Sequence, residues 1–364
     1  SAAAPALVVG VVQANLGVLE KRTQGIVGHR RHLEQTRELL ADGPVDLVVW
    51  PEAAYVRGIR RPLPVSGKLV ADDLGVPLLF GGTSVDERDG RRVKSNSAFL
   101  VGADGTIADA YDKNLLIPLA EYVPFGTYVP VLAALLPHVQ DFAAATDTPA
   151  PRLGAHRLAT PICYEAIRPE FVRRMVRASD ADLIVTLAND AWFGDSQEPW
   201  MHLALARLRA IEHRRWLVRA TNSGISALVD PTGAVVARTG VLERASLRGT
   251  VHALDGTTVY AMLGDWPGWL ALVVVAPPTP ARRVRARRTP RACGTASCVP
   301  ARAPAPPATC CRRRPRARAG CSAARPLPAA RAPRGRPTRP ARASGGSRGS
   351  SRAGRRVGSC RAAR

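Results

Sequence analysis

An α/β layered sandwich is the fold that this 364-residue sequence predicts. Three observations predict it. Apolar, β-branched runs alternate with helix-period segments. Hairpin patterns are inserted between them. Reactive side chains collect where the strands end.

The elements follow in order. "ALVVGVVQANL" (6–16) is a continuous apolar run, the pattern of a strand buried on both faces. Residues 26–41 keep a helical period up to the breaker Asp42-Gly43-Pro44. "VDLVVWPEAA" (45–54) reads as a second strand entering a loop. "VPLLFGGTS" (76–84) reads as a third, stopped by Gly81-Gly82. "SAFLVGADGTIADAYDK" (97–113) reads as two strands joined at Ala103-Asp104-Gly105. "HRLATPICYE" (156–165) is a further strand, and the helix after it carries Pro169 in its first turn. "ADLIVTLAND" (181–190) is a strand and 199–214 a helix. Residues 216–239 give two more strands around Asp230-Pro231-Thr232-Gly233.

In such folds chemistry gathers at the carboxyl ends of strands. Glu52, Lys113 and Cys163 sit at three of those ends. A cysteine nucleophile needs a base, a cation for thiolate and oxyanion, and an exposed sulfur. Glu52 suits the base and Lys113 the cation, and the turn after Cys163 offers the Tyr164 backbone N–H as an oxyanion donor. No histidine lies near these positions in sequence, which disfavours a Cys–His pair. Each residue also has a plain alternative: a loop acid, a solvated lysine, a packed cysteine. His202 and His213, on a helix, read as structural. "VPVLAALLP" (129–137) reads either as an apolar lid or as an ordinary core helix.

Charge divides the chain. Its net charge of +23 is concentrated in residues 281–364, which hold 24 Arg and no Lys, Asp or Glu. The first 280 residues carry 28 basic and 29 acidic side chains, so they are near neutral. Six of the seven cysteines (Cys293, Cys298, Cys310, Cys311, Cys321, Cys360) lie in the same tail, and no histidine follows His252 to complete a zinc pattern. From 277 onward there is no aromatic residue or Ile, and Leu327 is the single Leu. Such a segment cannot bury enough apolar surface to offset chain entropy, so disorder is expected. Its composition fits a basic arm for nucleic acid, a solvated extension, or a GC-rich frame translated out of register. The chain starts at Ser1, and the reading is that it is cut from something longer. No stretch reaches the roughly 18 apolar residues of a membrane span. "WLALVVVA" (269–276) comes nearest and ends at Pro277-Pro278.

"WPEAA", "YDKNLLIPLAEYVPFG" and "ICYEAIRPE" resemble the Glu–Lys–Cys motifs of the nitrilase superfamily, the carbon–nitrogen hydrolases. The segment from Asn189 to Gly233, opening "NDAWFGDSQEPW", is similar more narrowly to the bacterial apolipoprotein N-acyltransferase family. The resemblance covers roughly residues 6–276. It implies a four-layer α-β-β-α sandwich over 1–260 and the start of a membrane helix at 261–276; the tail at 277–364, expected to be disordered from its composition, departs from the family pattern. It implies Glu52 as general base, Lys113 as oxyanion-stabilising cation and Cys163 as nucleophile. Glu121, Tyr164 and Glu165 are implied as supporting residues, and Asn189, Trp192 and Phe193 read either as a loop near the thioester or as a tight turn with core aromatics. No cofactor or metal is implied. The implied donor is a phospholipid, and the implied acceptor is the α-amine of a diacylglyceryl-cysteine on an apolipoprotein. The implied place is the outer, periplasmic face of a bacterial inner membrane. The folded part is not expected to bind nucleic acid. A soluble nitrilase-type amidase with the same triad is the competing expectation.

Overall fold

The computed structural model describes residues 5–275 apart from 18–24, 89, 127, 130, 132–134, 137, 138 and 140. The basic tail lies outside the described residues, and so does most of the 129–137 segment. The first half of the chain forms β1 (Ala6–Gln13), α1 (Gly25–Ala41), β2 (Leu47–Val49), β3 (Tyr55–Arg60), β4 (Val65–Ser66), α2 (Lys68–Ala71), β5 (Leu78–Arg88), β6 (Arg91–Val101) and β7 (Thr106–Asp112). The second half forms β8 (Arg152–Leu153), β9 (His156–Ala159), α3 (Pro169–Ser179), β10 (Leu183–Ala188), α4 (Glu198–His213), β11 (Leu217–Thr221), β12 (Ala227–Val229), β13 (Val235–Arg238), β14 (Ala245–His252), α5 (Val259–Leu263) and α6 (Trp266–Val275).

Two sheets result. One runs β14-β1-β2-β5-β6-β7-β4, with β3 also on β5, and the other runs β13-β12-β11-β10-β9-β8. The period of two in each strand explains the layering. Val9, Val11, Leu47, Val49, Leu79, Ala98 and Leu100 point one way and share one core with the second sheet, whose β10 is buried on both faces. Val12, Val48, Leu78, Phe80 and Phe99 point the other way and pack under α1 through Leu33 and Leu39. The second sheet is covered in turn by α3, through Phe171, Val172 and Met175, and by Leu203 and Ala210 of α4. Helix, sheet, sheet, helix is the four-layer sandwich, and strands buried on both faces account for the continuous apolar runs.

Direction within the sheets gathers the site. β1, β2 and β5 are parallel, and two antiparallel steps through β6 bring β7 back to the same sense. The carboxyl ends of β2 and β7 therefore share one edge. β9, β10 and β11 are also parallel, so their carboxyl ends share an edge of the second sheet.

Several boundaries differ from the sequence reading. β5 does not stop at Gly81-Gly82 but runs on to Arg88. Its first part pairs with β2 and its later part with β3, and the chain crosses over Gly81 between them. A Cβ on Gly81 would stand 2.5 Å from Glu52 Cα, so that glycine permits a close backbone approach and does not end the strand. β9 ends at Ala159, before Pro161, and Cys163 opens a separate single turn, Cys163–Ile167. Residues 216–239 form three strands, not two. α6 has ten residues, none of them buried, and no helix among the described residues is long and apolar enough to cross a membrane.

Candidate active site

Glu52 leaves β2 behind Trp50, whose Nε1 donates to Thr36 Oγ1 of α1 at 2.9 Å and fixes the strand exit. Gly81 N donates to Pro51 O beneath it. Lys113 follows β7, and its backbone N–H donates to Asn96 O. Its side chain is fully buried. Nζ lies 3.3 Å from Glu52 Oε1 and 2.9 Å from Glu121 Oε2. Asn96 Nδ2 donates to both carboxylates, at 2.7 Å to Glu52 Oε1 and 2.8 Å to Glu121 Oε1. Glu121 is held in turn by the Ile117 N–H at 2.9 Å. One ammonium and one amide thus lock two buried carboxylates side by side. Burial opposes the lysine's charge, but Glu52, Cys163 and Glu121 outweigh it and hold the ammonium above its ordinary range.

Cys163 is 9 % exposed and has φ +52. A left-handed non-glycine backbone costs about 1–3 kcal/mol and persists only when its surroundings impose it. Glu165 imposes it. Its Oε2 accepts from the Ile162 N–H at 2.8 Å, one residue before Cys163. Its Oε1 accepts from the Asn114 and Leu115 N–H groups at 2.7 and 2.9 Å, immediately after Lys113. The Tyr111 hydroxyl donates to both oxygens at 2.8 Å. Glu165 therefore ties the cysteine turn to the lysine strand. Burial pushes its carboxyl up to about 7 against those donors.

Burial also pushes the Cys163 thiol well above its ordinary value. The Glu52 charge adds to this, while Lys113 and a hydrogen bond from the Asn189 backbone N–H act the other way. The sulfur therefore holds its proton, and a nucleophilic role for it would need a base.

The site brings together Glu52, Lys113, Glu121, Cys163 and Glu165, with the Asn189 backbone beside the sulfur. Asn189 Oδ1 accepts from Asn222 Nδ2 at 3.2 Å. The Tyr164 hydroxyl accepts from Arg168 at 2.8 Å, at the surface. Trp192 and Phe193 do not reach the core: they are 63 % and 47 % exposed on the turn after Asn189. Phe125, Tyr128, Val129, Val131 and Leu135, in the segment after Glu121, are exposed as well, so these residues of 129–137 are not part of the core.

Sequence reasoning missed Asn96, Tyr111 and the network behind the cysteine. Asn96 had a signal, the polar "SNS" inside an apolar strand. A histidine is also near after all: His202 reaches the Cys163 carbonyl oxygen, 39 residues away in sequence, with Nε2 at 3.3 Å, though it makes no bond to the sulfur. Asp190, Glu198 and His202 bring three potential metal donors within 4.8 Å. Arg219 already occupies Asp190 Oδ2 at 2.9 Å, so the carboxylate has a cation in place. Burial pushes Asp190 up, but Arg219 and His202 prevail and hold it below the usual carboxylate range. Burial and Arg219 together lower His202. A cavity of about 720 Å³ lined by Arg61, Asp86, Arg88, Asp109 and Asp147 includes none of Glu52, Lys113 and Cys163.

Residues 8–252 match the family model described as carbon-nitrogen hydrolase. Apolipoprotein N-acyltransferase of Geobacter metallireducens is 34 % identical over 244 residues, 66 % of this chain and 46 % of that protein. Apolipoprotein N-acyltransferase of Pseudomonas aeruginosa strain PAO1 is 37 % identical over 249 residues, 65 % of this chain and 47 % of that protein. The chain thus spans about half the length of these curated relatives. Among solved structures, Saccharomyces cerevisiae Nit3, a member of branch 10 of the nitrilase superfamily, shares the fold. Its TM-score is 0.53 at 16 % identity, covering 76 % of this chain and 97 % of that one. A carbon-nitrogen hydrolase from Helicobacter pylori G27 has a TM-score of 0.50 at 16 % identity, covering 68 % and 90 %.

Proposed function

The chain belongs to the carbon–nitrogen hydrolase family, and on that premise we propose that it is the catalytic part of an N-acyltransferase that moves a phospholipid acyl chain onto the amino terminus of an apolipoprotein. Glu52 takes the Cys163 proton. The thiolate attacks the donor's ester carbonyl, and Lys113 with the Tyr164 N–H stabilises the oxyanion. The ester C–O bond breaks, the lysophospholipid leaves with the proton held by Glu52, and the acyl group stays as a thioester. The α-amine of a diacylglyceryl-cysteine then attacks. Its proton passes through Glu52, an amide forms, and the thiol is restored. Glu121 orients Lys113, and Glu165 holds the two strand ends together.

The observation that carries this reading over simple amide hydrolysis is the exposed apolar rim. Both loops that leave the charged cluster, one after Glu121 and one after Asn189, present hydrocarbon to solvent, at Phe125, Tyr128, Trp192 and Phe193. A site for a small polar amide needs no such rim, whereas a lipid donor does. The wholly exposed α6 supports residues 261–276 as the start of a membrane helix beside a catalytic domain of residues 1–260. A place on the outer face of a bacterial inner membrane follows from the same chemistry.

The test is intact mass of the protein in mixed micelles of phospholipid and detergent. An acyl adduct on Cys163 should accumulate, persist without acceptor, and vanish when a diacylglyceryl-cysteine peptide is added. It should be strongly reduced in Glu52→Gln. Steady release of free fatty acid with no peptide present would instead make the protein a hydrolase.

A further inference from the structure

One buried ionisable side chain has no part in that scheme. His202, on α4, is 5 % exposed and lies behind the nucleophile turn. Its Nδ1 is 3.0 Å from Asp190 Oδ1 and 3.5 Å from Glu198 Oε1. Its Nε2 is 3.3 Å from the Cys163 carbonyl oxygen. Arg219, from β11, donates to the other oxygen of Asp190 at 2.9 Å. Both neighbours of the ring are acceptors, so only the protonated ring donates to both at once; burial and Arg219 lower the ring's pKa, while Asp190 and the Cys163 carbonyl favour the protonated form.

The carbonyl in question belongs to the peptide unit that joins Cys163 to Tyr164. In a planar trans peptide the C=O and the following N–H point in opposite directions. A donor that fixes the carbonyl on the buried side therefore fixes the Tyr164 N–H on the other side. Hydrogen bonds in series also polarise one another, so a donor on the carbonyl strengthens the N–H as a donor. Asp190, itself pinned by Arg219, sets the ring orientation that makes this possible.

We propose that His202 is a positioning residue for acyl transfer, which by donating to the Cys163 carbonyl aims and strengthens the Tyr164 N–H toward the oxyanion. The proposal rests on Cys163 as nucleophile and Tyr164 N–H as oxyanion donor. It deepens that reading by naming what holds the donor.

Two reactions of the same sulfur separate this role from a merely structural one. With p-nitrophenyl octanoate, the Sγ–C bond forms, the ester C–O bond breaks, p-nitrophenolate leaves and the thiol proton passes to Glu52. An oxyanion forms on the way. With iodoacetamide, sulfur displaces iodide at a saturated carbon and no oxyanion forms. Both are followed on the Cys163-containing peptide by mass, which sets the tail cysteines aside. The amide of His202→Asn matches the Nδ1 position and keeps Asp190, but cannot reach the carbonyl. It should slow acylation by about 10–100-fold, less than the 10²–10³ of a deleted oxyanion donor, and leave alkylation near wild type. The amide of His202→Gln reaches the Nε2 position and should restore most of the acylation. Equal losses in both reactions, or unchanged acylation in His202→Asn, would overturn the proposal. If wild-type Cys163 is alkylated but never acylated, the nucleophile reading fails and this role goes with it.

Discussion

Around Cys163 the protein buries charge, and on the loops leaving that site it exposes hydrocarbon. Glu52, Lys113, Glu121 and Glu165 are all buried, while Phe125 is 73 % exposed. Each region inverts the usual preference, under which charged side chains stay wet and large apolar ones are covered. The two inversions differ in how they are supported. The buried charges are satisfied many times over: Lys113 by two carboxylates, Glu165 by three backbone N–H groups and the Tyr111 hydroxyl. The difference separates a part built for fixed geometry from a part suited to a yielding, apolar partner.

The largest effect should come from removing the sulfur. Cys163→Ala should lower acyl transfer by about 10⁴-fold or more, since a covalent nucleophile acts with its base as one unit. Melting should move by only a few degrees, because a buried cysteine packs as a small hydrophobe. Transfer within about tenfold of wild type would break the chemical side of the comparison at its centre.

Next comes the cation. Lys113→Arg keeps the charge but replaces a compact ammonium with a wide planar fork. The space is set by Glu52, Glu121 and Asn96, all within 3.3 Å of Nζ or of one another. Loss of a placed oxyanion donor costs about 10²–10³ in rate, and the same loss is expected here in single-turnover acylation. A near-normal rate would mean that only bulk positive charge matters.

These residues were unevenly legible in the sequence. Glu52, Lys113 and Cys163 stood out because each follows an apolar run, and strands buried on both faces are the easiest elements to read. Asn96 and Glu165's partners were not legible. Asn96 meets Glu52 across 44 residues and Glu165 meets Tyr111 across 54, and no local spacing encodes such contacts. Gly81-Gly82 misled for a physical reason: glycine marks a chain stop and a close backbone approach equally well, and only the crossing of Glu52 above it decides. β14 was missed although its burial alternates, because two of its inward residues, Ala245 and Gly249, are too small to mark an apolar face. Arg219 inside the apolar "LVRAT" was a signal left unread, since a charge in a buried strand demands a partner, and Asp190 is that partner.

A third change weighs the clamp. In Glu165→Gln, an amide NH₂ must face at least one of the N–H groups of Ile162, Asn114 and Leu115, donor against donor. Leaving such groups unsatisfied costs about 1–3 kcal/mol. Denaturant titration at pH 8 should show a loss of that size, with faster hydrogen exchange at Asn114 and Leu115 than elsewhere in the sheets. Unchanged stability would mean that the strained turn at Cys163 is held by something other than this carboxylate.

The smallest effect belongs to the rim, and it sharpens the comparison most. Phe125→Ser combined with Phe193→Ser removes two exposed rings and touches none of the buried hydrogen bonds. Fold and melting should be unaffected, since neither ring belongs to either core cluster. Burying one such ring fully is worth about 1.5–3 kcal/mol. Partial insertion of two into a micelle therefore predicts a loss of about tenfold, at 1.4 kcal/mol per factor of ten. The loss should appear with micelle-borne phospholipid as a weaker apparent affinity. Acylation by the water-soluble ester p-nitrophenyl acetate should stay at the wild-type rate, because that donor reaches Cys163 without meeting a lipid surface. If both donors slow together, the rim shapes the chemical site and the two regions are one. If neither slows, the exposed hydrocarbon has no part in donor capture and the case for a lipid substrate over a small amide weakens accordingly.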